Sequence, residues 1–527
     1  MAVNNGKQKE KELEIIKLFA DFELQLHPDA INLLTDYDGC DGGDGSGNGR
    51  RGWYFEIAAV AESMSKSLNP SNCVISQEQI ADFIQKKSAR ARADVDTEAY
   101  AVTVINSLPV QDIAADHKDF LPYFIDRYEK LSKIIKKRLN YVQIRSVRNG
   151  SREDKKDISV VGMVSSINKT VKGNTRVELE DPTGSLSVIM IHQEEVILDE
   201  VIGVNGFLAD GGEYLIANKI IYPDVPVPVS VPNTPANLQS SLCTSSSGSE
   251  SRRERESEKK KPVYAVFISD IHVGSKTFLS DAWDSFTHWL KEEAKRSNIA
   301  YLVVAGDIVD GIGVYPGQDK DLSITDIWEQ YRIAARYFHD LPSHLQIVVV
   351  PGNHDAVRSA EPQPPLPANL TELFPDNTSF LSNPARIQIG DRQVQVQVLI
   401  YHGQSYDDLV NSVSRLNYQK PEDVMIEMLR RRHLSPIYGK AVSIVPNRHD
   451  YGVIDHVPEI FHCGHTHTVG VAKYRNVLVI NSGTWQSQTG YQKKLDITPV
   501  AGCATLVELH ERAVKVMDFG DEGGVGA

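Results

Sequence analysis

The spacing of apolar residues divides this chain into a first part with helical periodicity and a longer part with strand patterns. Across residues 8–35 the apolar side chains recur about every 3.6 positions, which predicts a helix. These side chains are Leu13, Ile15, Ile16, Phe19 and Phe22. Helical patterns return at 53–67 and 76–91, after an insert at 36–52 rich in glycine and aspartate that we expect to be disordered. We therefore predict a small helical docking region over residues 1–135.

Residues 140–225 carry the shorter periods of strands. Apolar residues dominate 158–164, alternate with polar ones across 175–181, and resume at 185–191 after a Pro-Thr-Gly turn. This pattern is typical of an OB-fold β-barrel, a module that binds single strands or protein partners. Both roles stay open, because the stretch offers few aromatic side chains for base stacking.

A change in composition at residues 226–261 indicates a flexible linker. The sequence passes from a Pro/Val stretch through a serine-rich stretch to a mixed-charge tract at 251–261 that has almost nothing apolar to bury. A basic arm that binds nucleic acid is the alternative interpretation, and the glutamates between its arginines and lysines weigh against it.

The last part of the chain, residues 262–520, alternates strand and helix patterns and predicts an α/β domain. A helix is predicted at 282–296, and the predicted strands lie at 263–269, 299–305, 346–350, 394–401, 460–463 and 477–480. Polar and ionisable residues follow directly after five of these strands. Since open α/β sheets bind ligands at the carboxyl ends of their strands, these positions are candidates for a functional site.

The charge and cysteine content narrow the class of protein. The chain has 527 residues and a formal net charge of −14, which argues against nucleic-acid binding by bulk electrostatics and leaves phosphate binding through metals open. Five scattered cysteines without a C-x-x-C pair indicate neither a disulfide framework nor a thiolate metal site. The charged N-terminal stretch lacks a signal-peptide core and no apolar run has the length of a membrane span, so we expect a cytoplasmic protein with no membrane contact.

Five short segments supply side chains suited to two divalent metal ions. They are Asp270-Ile271-His272, Gly306-Asp307, Gly352-Asn353-His354-Asp355, His402-Gly403 and Gly464-His465-Thr466-His467. Carboxylates, imidazoles and an amide oxygen bind such metals. A lone Asp-x-His or His-x-His is more often structural, whereas five segments in order, each after a strand, favour a metal site.

These residues divide between two metal ions. We expect one ion to be bound by Asp270, His272, Asp307 and His467, and the other by Asp307, Asn353, His402 and His465. A water molecule between ions about 3.5–4 Å apart is the expected nucleophile for hydrolysis of a phosphate ester. We expect His354 to stabilise the transition state or protonate the leaving oxygen, with Asp355 orienting it.

At these motifs, residues 262–515 resemble the calcineurin-like metallophosphoesterase superfamily. The order of regions, together with FISDIHVGSKTF, VVPGNHDAVR, YHGQSYDD and DYGVIDHVPEIFHCGHTH, resembles the small subunits of archaeal family D DNA polymerases. The resemblance implies a multidomain chain with a small α-helical N-terminal region, an OB-fold barrel and a four-layer α/β sandwich. It also implies a 3′-to-5′ exonuclease that proofreads single-stranded DNA or frayed primer-template ends and forms a heterodimer with a large catalytic subunit.

The resemblance also suggests the metal and leaves two other functions to weigh. Manganese is the metal that such nucleases usually prefer, and the ligand set would also accept magnesium, iron or zinc. A non-catalytic scaffold is the first alternative, since related accessory subunits of eukaryotic replicative polymerases have lost metal ligands that this chain retains. A phosphomonoesterase on the same fold is the second, although such an enzyme has no need of an OB-fold.

Overall fold

The structure, a computed structural model, describes residues 100–108, 116–149, 157–191, 195–209, 213–227, 262–494 and 497–520, with Ile15, Gln25–Leu26, Ile31 and Val74–Ile75 before them. The chain divides into two units, Met1–Glu98 and Ala99–Ala527. The insert predicted at 36–52, the helices predicted at 53–67 and 76–91, and residues 228–261 of the predicted linker lie outside the described residues.

In the first unit the described residues include two short strands. β1 (Gln25–Leu26) and β2 (Val74–Ile75) pair in parallel. The helix predicted across 8–35 is therefore wrong at Gln25–Leu26. From Phe22 to Leu26 apolar and polar residues alternate strictly, and this alternation is the period of a strand.

A short strand that precedes the barrel belongs to a sheet of the C-terminal half. β3 (Thr103–Asn106) pairs antiparallel with residues 386–388 and lies at the edge of a six-stranded sheet. The helical region predicted over 1–135 is therefore wrong at this strand. All four of its residues are exposed, although Val104 and Ile105 are apolar and favour a strand. Backbone pairing with a distant strand places it in the sheet.

Two helices flank the barrel. α1 (Phe120–Lys136) buries Leu131 and Ile135 against the barrel wall. α2 (Ile144–Asn149) contributes Ile144 to the barrel core. Across the part of the chain that the structure describes, no helix is long and apolar enough to cross a membrane.

Five strands close into a barrel in the order β4-β5-β6-β8-β7. They are β4 (Ile158–Lys169), β5 (Thr175–Asp181), β6 (Gly184–Met190), β7 (Val201–Leu208) and β8 (Tyr214–Ile221). Alternate residues such as Val177 and Leu179 are buried in its core. Asp181 holds the β5–β6 turn, since its Oδ1 accepts hydrogen bonds from the backbone N–H groups of Thr183 at 2.7 Å and Gly184 at 3.1 Å. The predicted barrel is confirmed.

The C-terminal half contributes eleven strands, which together with β3 form two sheets of six strands each. In chain order its elements are β9 (Val263–Ile268), α3 (Ser280–Arg296), β10 (Asn298–Ala305), α4 (Ile327–His339), β11 (Gln346–Val350), α5 (Ala368–Thr371), β12 (Thr378–Phe380), β13 (Ala385–Gly390), β14 (Gln395–Ile400), α6 (Tyr406–Ser412), α7 (Pro421–Arg431), β15 (Ile460–Cys463), β16 (Gly470–Tyr474), β17 (Val477–Asn481), α8 (Gly490–Lys494), β18 (Cys503–Glu508) and β19 (Val514–Asp518). The sheets are ordered β12-β11-β10-β9-β18-β19 and β16-β17-β15-β14-β13-β3. Strands β9 to β12 run parallel to one another, as do β14, β15 and β17. The mixed α/β character predicted for residues 262–520 is confirmed.

Three apolar clusters cover the faces of the two sheets. Neighbouring residues of one strand point to opposite faces, so Phe267 packs in a cluster shared by both sheets while Ile268 packs with α3 and α4. On the second sheet Val398 faces the shared cluster, and Leu399 packs with α6 and α7. Because both faces of these strands are buried, the strands appear in the sequence as continuous apolar runs.

The predicted motifs lie at the carboxyl ends of five strands. Asp270 follows β9, Asp307 follows β10, Asn353 follows β11, His402 follows β14 and His465 follows β15, each within three residues of the strand's end. β9, β10 and β11 are neighbours in one sheet, and β14 and β15 are neighbours in the other. The sheet order therefore brings the five motifs to one region.

Candidate metal centre

Left-handed backbone at the strand ends turns the predicted ligands toward one another. Five non-glycine residues have a positive φ here: Asp270 at 52°, His272 at 56°, Asp307 at 53°, His465 at 70° and His467 at 59°. Each such residue costs about 1–3 kcal/mol and persists only where other contacts fix it. Hydrogen bonds from the backbone do so: His272 N donates to Asp307 O at 3.0 Å, and His465 N donates to Asp270 Oδ2 at 2.9 Å.

One group of donor atoms forms around Asp270. Its Oδ1 lies 3.3 Å from His467 Nε2 and 3.8 Å from His272 Nε2, and these two nitrogens are 3.0 Å apart. Asp307 Oδ2 lies 3.7 Å from His272 Nε2. All four side chains are buried. These short distances show that the four residues predicted to bind the first metal lie together.

A second group forms around Asp307 and Asn353. His402 Nε2 lies 3.4 Å from Asp307 Oδ2 and 2.9 Å from Asn353 Oδ1. His465 Nδ1 lies 3.1 Å from the same amide oxygen. Asp307 contacts both groups, and this is the position that a bridging carboxylate must take.

Two glycines allow the backbone to pass close to these side chains. Gly306 has a φ of +89°, and a Cβ there would lie 2.5 Å from His402 Nδ1. A Cβ on Gly352 would overlap Asp307 Oδ1. Any larger residue at either position would displace a predicted ligand.

His354 lies beside the two groups. Its backbone N–H donates to Asp307 Oδ1 at 2.9 Å, and its ring packs edge-on against His272 with 4.7 Å between the ring centroids. Its Nδ1 lies 2.7 Å from the carbonyl oxygen of Asp310. Because a carbonyl oxygen only accepts, Nδ1 carries the proton of this hydrogen bond, and Nε2 is the nitrogen left for proton exchange.

The prediction that Asp355 orients His354 is wrong. The Asp355 carboxylate instead accepts hydrogen bonds from the backbone N–H of Gly352 at 2.9 Å and from the hydroxyl of Tyr331 at 3.1 Å. Burial, and after it the charge of the nearby Asp307, raise the pKa of Asp355 to about 6. Asp355 therefore fixes the loop that follows β11, because its side chain turns back toward the loop's own backbone.

Asp310 contributes to the centre, although the motifs alone do not identify it. Its Oδ1 lies 2.9 Å from His272 Nδ1 and 4.0 Å from His354 Nδ1. Gln318 holds it in place by donating to its carbonyl oxygen at 2.8 Å. A carboxylate at the outer nitrogen of an imidazole fixes the ring and turns its other nitrogen toward the metal. The sequence offers one clue, since Asp310 and Asp307 share the segment Gly-Asp-Ile-Val-Asp-Gly.

The outer nitrogens of two more histidines also have fixed partners. His402 Nδ1–H donates to the carbonyl oxygen of Ala305 at 2.8 Å. The side-chain amide nitrogen of Gln492, on α8, lies 2.7 Å from His467 Nδ1. The sequence gives no clue to Gln492, because only the fold brings α8 against the loop that carries His467. Both contacts fix the planes of rings whose Nε2 atoms face the other ligands.

Burial and charge act in opposite directions on the ionisable groups. Burial alone would raise the pKa of Asp307, yet His402 and His354 hold that pKa well below its usual value. Burial would lower the pKa of His402, but Asp307 raises it to about 10. Burial also lowers the pKa of His354 and of His467. Asp307, the predicted bridging carboxylate, is therefore ionised, as a metal ligand must be.

An oxygen without a hydrogen-bond partner marks a place for a cation. Asp270 Oδ1 is buried and makes no hydrogen bond to any described residue, an arrangement that is costly without a compensating charge. Asp270 groups with His272 and His467, and again with Asp307 and His402, with one ligand atom from each residue inside 4.8 Å of the others. These nitrogen and oxygen donors, without thiolates, fit borderline and hard divalent metals.

Comparison with known proteins identifies the family. The family that comprises the B subunits of DNA polymerases alpha and epsilon matches residues 265–469. The DNA polymerase II small subunit of Archaeoglobus fulgidus is 40% identical over 455 residues, which cover 84% of this chain and 86% of that protein. The chain belongs to the DNA polymerase II small-subunit family. The expected resemblance is thereby confirmed.

Other relatives in this family are similarly close. The DNA polymerase II small subunit of Methanothermobacter thermautotrophicus is 38% identical over 449 residues, which cover 81% of this chain and 84% of that protein. Among solved structures, an archaeal phosphodiesterase matches 48% of this chain and 98% of its own at 14% identity, with a TM-score of 0.24. That likeness is too slight to carry fold or function.

All the predicted site residues fall inside the matched range 265–469. In this chain, the seven predicted ligands lie in two adjoining groups and His354 lies beside them. Asp310 falls inside the same range, whereas Gln492 lies beyond it.

Proposed function

We propose that this chain is the small subunit of a heterodimeric replicative DNA polymerase and acts as its 3′-to-5′ exonuclease. Its substrate would be single-stranded DNA or a frayed primer end, and its reaction would be hydrolysis of the terminal phosphodiester. The observation that carries the proposal is the convergence of two donor groups on Asp307, beside a buried Asp270 oxygen that has no hydrogen-bond partner among the described residues.

Seven side chains would hold two divalent cations. One cation would be held by Asp270, His272, Asp307 and His467, and the other by Asp307, Asn353, His402 and His465. When bound, the cations would activate a water molecule and offset the charge of the phosphodiester. We propose Mn²⁺ as the native metal, and the same donors also suit Mg²⁺, Fe²⁺ or Zn²⁺.

His354 would act as the general acid. Its Nδ1–H is used on the carbonyl oxygen of Asp310, so Nε2 is the atom that would pass a proton to the leaving oxygen. Its backbone N–H binds Asp307 Oδ1, which fixes the distance between His354 and the bridging carboxylate. Both contacts hold the ring beside the ligands and not among them.

We also propose a division of the chain into functional parts. Residues 1–135 would dock a partner, 140–225 would form an OB-fold, 226–261 would act as a linker, and 262–520 would form a four-layer phosphoesterase sandwich. The closed barrel supports the OB-fold. The three clusters, one shared by the sheets and one on each outer face with helices, support the four layers.

The partner would be a large subunit that carries DNA synthesis. The relatives are named small subunits of a DNA polymerase, and a small subunit implies a larger one. The net charge of −14 supports the same division, because an acidic chain gains little from bulk attraction to DNA and a partner would supply much of the grip. The barrel and the N-terminal region would bind that partner in the cytoplasm.

The decisive experiment follows the length of a DNA strand over time. A single-stranded oligonucleotide labelled at its 5′ end, and a second labelled at its 3′ end, are incubated with the full chain and Mn²⁺. The variants are Asp307→Ala, which removes the bridging carboxylate, and His354→Ala, which removes the proton donor. His456→Ala is the matched control, because that histidine side chain is 70% exposed and lies outside both groups.

The proposal expects a 5′-labelled ladder that shortens from the 3′ end in the wild type and in His456→Ala, and no shortening in the other two variants. If nothing is cut, the assay is repeated with the large subunit added. No hydrolysis there would mean a non-catalytic scaffold. Hydrolysis of small phosphomonoesters without any cutting of DNA would mean a phosphatase.

A further inference from the structure

His465 lies at the outer edge of the metal centre, between two oxygen atoms. Its Nδ1 is 3.1 Å from Asn353 Oδ1, on the side of the ligands. Its Nε2 is 3.6 Å from Asp407 Oδ2, on the opposite side. The imidazole therefore has one nitrogen directed at the predicted metal and the other at a carboxylate.

Asp407 is itself fixed. It lies in the first turn of α6, the helix that follows the His402 loop. Tyr418 donates its hydroxyl to Asp407 Oδ1 at 2.8 Å, which leaves Oδ2 for His465. The carbonyl oxygen of Tyr418 accepts a hydrogen bond from Thr468 Oγ1 at 2.9 Å, so the same tyrosine is tied to the loop that carries His465.

The other three predicted histidine ligands each have a partner at the outer nitrogen. At His272 and His402 an oxygen atom can accept the outer N–H, from the Asp310 carboxylate and the Ala305 carbonyl, whereas at His467 the Gln492 amide nitrogen donates to Nδ1. A histidine that binds a metal nearly always donates its outer N–H to an acceptor such as those at His272 and His402, because the acceptor selects the tautomer and fixes the ring plane. The Asp407 carboxylate is an acceptor of this kind, 3.6 Å from His465 Nε2.

We infer that Asp407 is a positioning residue for the metal centre: its carboxylate faces Nε2 of His465 at 3.6 Å, would accept the proton of that nitrogen, and so would present Nδ1 to the metal beside Asn353. This inference rests on the two-metal site of the proposed function. It assigns Asp407 no contact with substrate. The negative charge also makes the imidazole a stronger donor to a cation.

The neighbouring aspartate, Asp408, has a different structural role. Asp408 accepts hydrogen bonds from the backbone N–H groups of Ala441 at 2.8 Å and Val442 at 3.2 Å, so it holds a loop away from the ligands. A general effect of acidic residues at a helix start would belong to both aspartates alike. The contact with His465 is made by Asp407, and the roles of the two are therefore separable.

The test is metal binding, measured without DNA. Mn²⁺ is titrated calorimetrically into the metal-free full chain and into Asp407→Asn, Asp407→Ala and Asp423→Asn. Asp423 is the matched control, because it lies in the first turn of α7, as Asp407 does in α6, and has no part in either donor group. We expect two Mn²⁺ sites in the wild type, and one of them about 10–100-fold weaker in Asp407→Ala, with the other unchanged. Asp407→Asn keeps an acceptor oxygen, so its Mn²⁺ affinity should fall less than that of Asp407→Ala.

A double-variant cycle shows whether Asp407 acts through His465. In a His465→Ala background, adding Asp407→Ala should change the Mn²⁺ affinity by less than about twofold, since residues that act as a unit are not additive. The inference would be overturned if Asp407→Ala lowered the Mn²⁺ affinity as much in the His465→Ala background as in the wild type. Two unchanged Mn²⁺ sites in folded Asp407→Ala would also overturn it. If both sites respond as expected but the chain cuts no DNA even with the large subunit added, the exonuclease proposal is overturned and the role of Asp407 stands.

Discussion

Arg127 and Asp450 form an ion pair that solvent does not reach: Arg127 Nε lies 2.6 Å from Asp450 Oδ2, and both side chains are 0% exposed. The same guanidinium donates to the carbonyl oxygens of Asp199 at 3.2 Å and Pro436 at 2.5 Å. Arg127 belongs to α1, Asp199 to the connection between the barrel strands β6 and β7, and Pro436 to the segment after α7. One side chain therefore joins the barrel to the half of the chain that holds the metal centre.

Removing this arginine should destabilise the protein strongly. Arg127→Met leaves the Asp450 carboxylate buried without its cation, and such a loss costs about 3–5 kcal/mol. The free energy of unfolding in urea measures it. Arg332→Met breaks an exposed pair with Glu329 at 3.2 Å and should cost less than about 1 kcal/mol. Equal costs for the two variants would mean that burial does not distinguish these pairs.

Glu361 should make stability depend on pH. Burial raises its pKa to about 7 from an ordinary 4.5, and its two oxygens lie 2.9 and 3.0 Å from the Tyr401 hydroxyl. Between pH 4.5 and about 7 the Glu361 carboxyl is ionised in the unfolded chain and protonated in the folded chain. The free energy of unfolding therefore falls as pH rises through this range.

Glu361→Gln should therefore gain stability over the wild type as pH rises from 4.5 to 7, by up to about 3 kcal/mol. Urea unfolding across this range, with EDTA present to remove any cation effect, measures the difference. The exposed Glu372→Gln should show a constant difference from the wild type. A constant difference for Glu361→Gln as well would show that this carboxyl titrates normally.

Gly306→Ala should lose metal affinity. The new Cβ would lie 2.5 Å from His402 Nδ1, at a backbone φ of +89°, so both sterics and strain displace a predicted ligand. We expect Mn²⁺ binding at least tenfold weaker, with about 1–3 kcal/mol less stability. Gly313→Ala has a similar φ of +75° and nothing within 4 Å of its Cβ. That control should lose stability alone, and calorimetric titration separates the two effects.

Asp310→Asn should slow hydrolysis more than it affects folding. The substitution keeps the shape of the side chain and removes the charge that faces His272 Nδ1 at 2.9 Å. We expect kcat and Mn²⁺ affinity to fall about 10–100-fold, the usual effect of losing the outer partner of a metal ligand. Asp319→Asn, which changes an exposed aspartate of the same loop region, should leave both unchanged. Unchanged affinity in Asp310→Asn would show that His272 needs no carboxylate to stay in place.

The sequence predicts the metal ligands because each follows a strand. The order of the strands in the two sheets then determines which carboxyl ends lie close together. Asp307 and His402 are far apart in the chain, yet both follow a predicted strand and are easy to find by pattern. Gln492 and Asp407 lie on helices whose placement depends on packing, and no local pattern reports that packing. Adjacency in the chain suggests that Asp355 serves His354, whereas its carboxylate turns back to the backbone.

The strand Thr103–Asn106 escapes pattern analysis for a different reason. Val104 and Ile105 are apolar, but the strand has four residues and all are exposed, so its pattern is short and marks no buried face. Its partner strand lies far along the chain, and periodicity does not report which strands pair. The short strand at Gln25–Leu26 does carry an alternating pattern, which the longer helical stripe before it obscures. Pattern analysis is therefore strongest where burial and period agree, as they do in the strands that carry the metal ligands.

The pairing of Thr103–Asn106 with residues 386–388 also limits how early the second sheet can form while the chain is being synthesised. The edge strand leaves the ribosome about 280 residues before its partner does, and at about 5–20 residues per second that interval lasts tens of seconds. All five barrel strands leave the ribosome before residues 386–388 do. The second sheet can be completed only after that interval, during which its edge strand is unpaired with β13 and exposed to other partners such as chaperones.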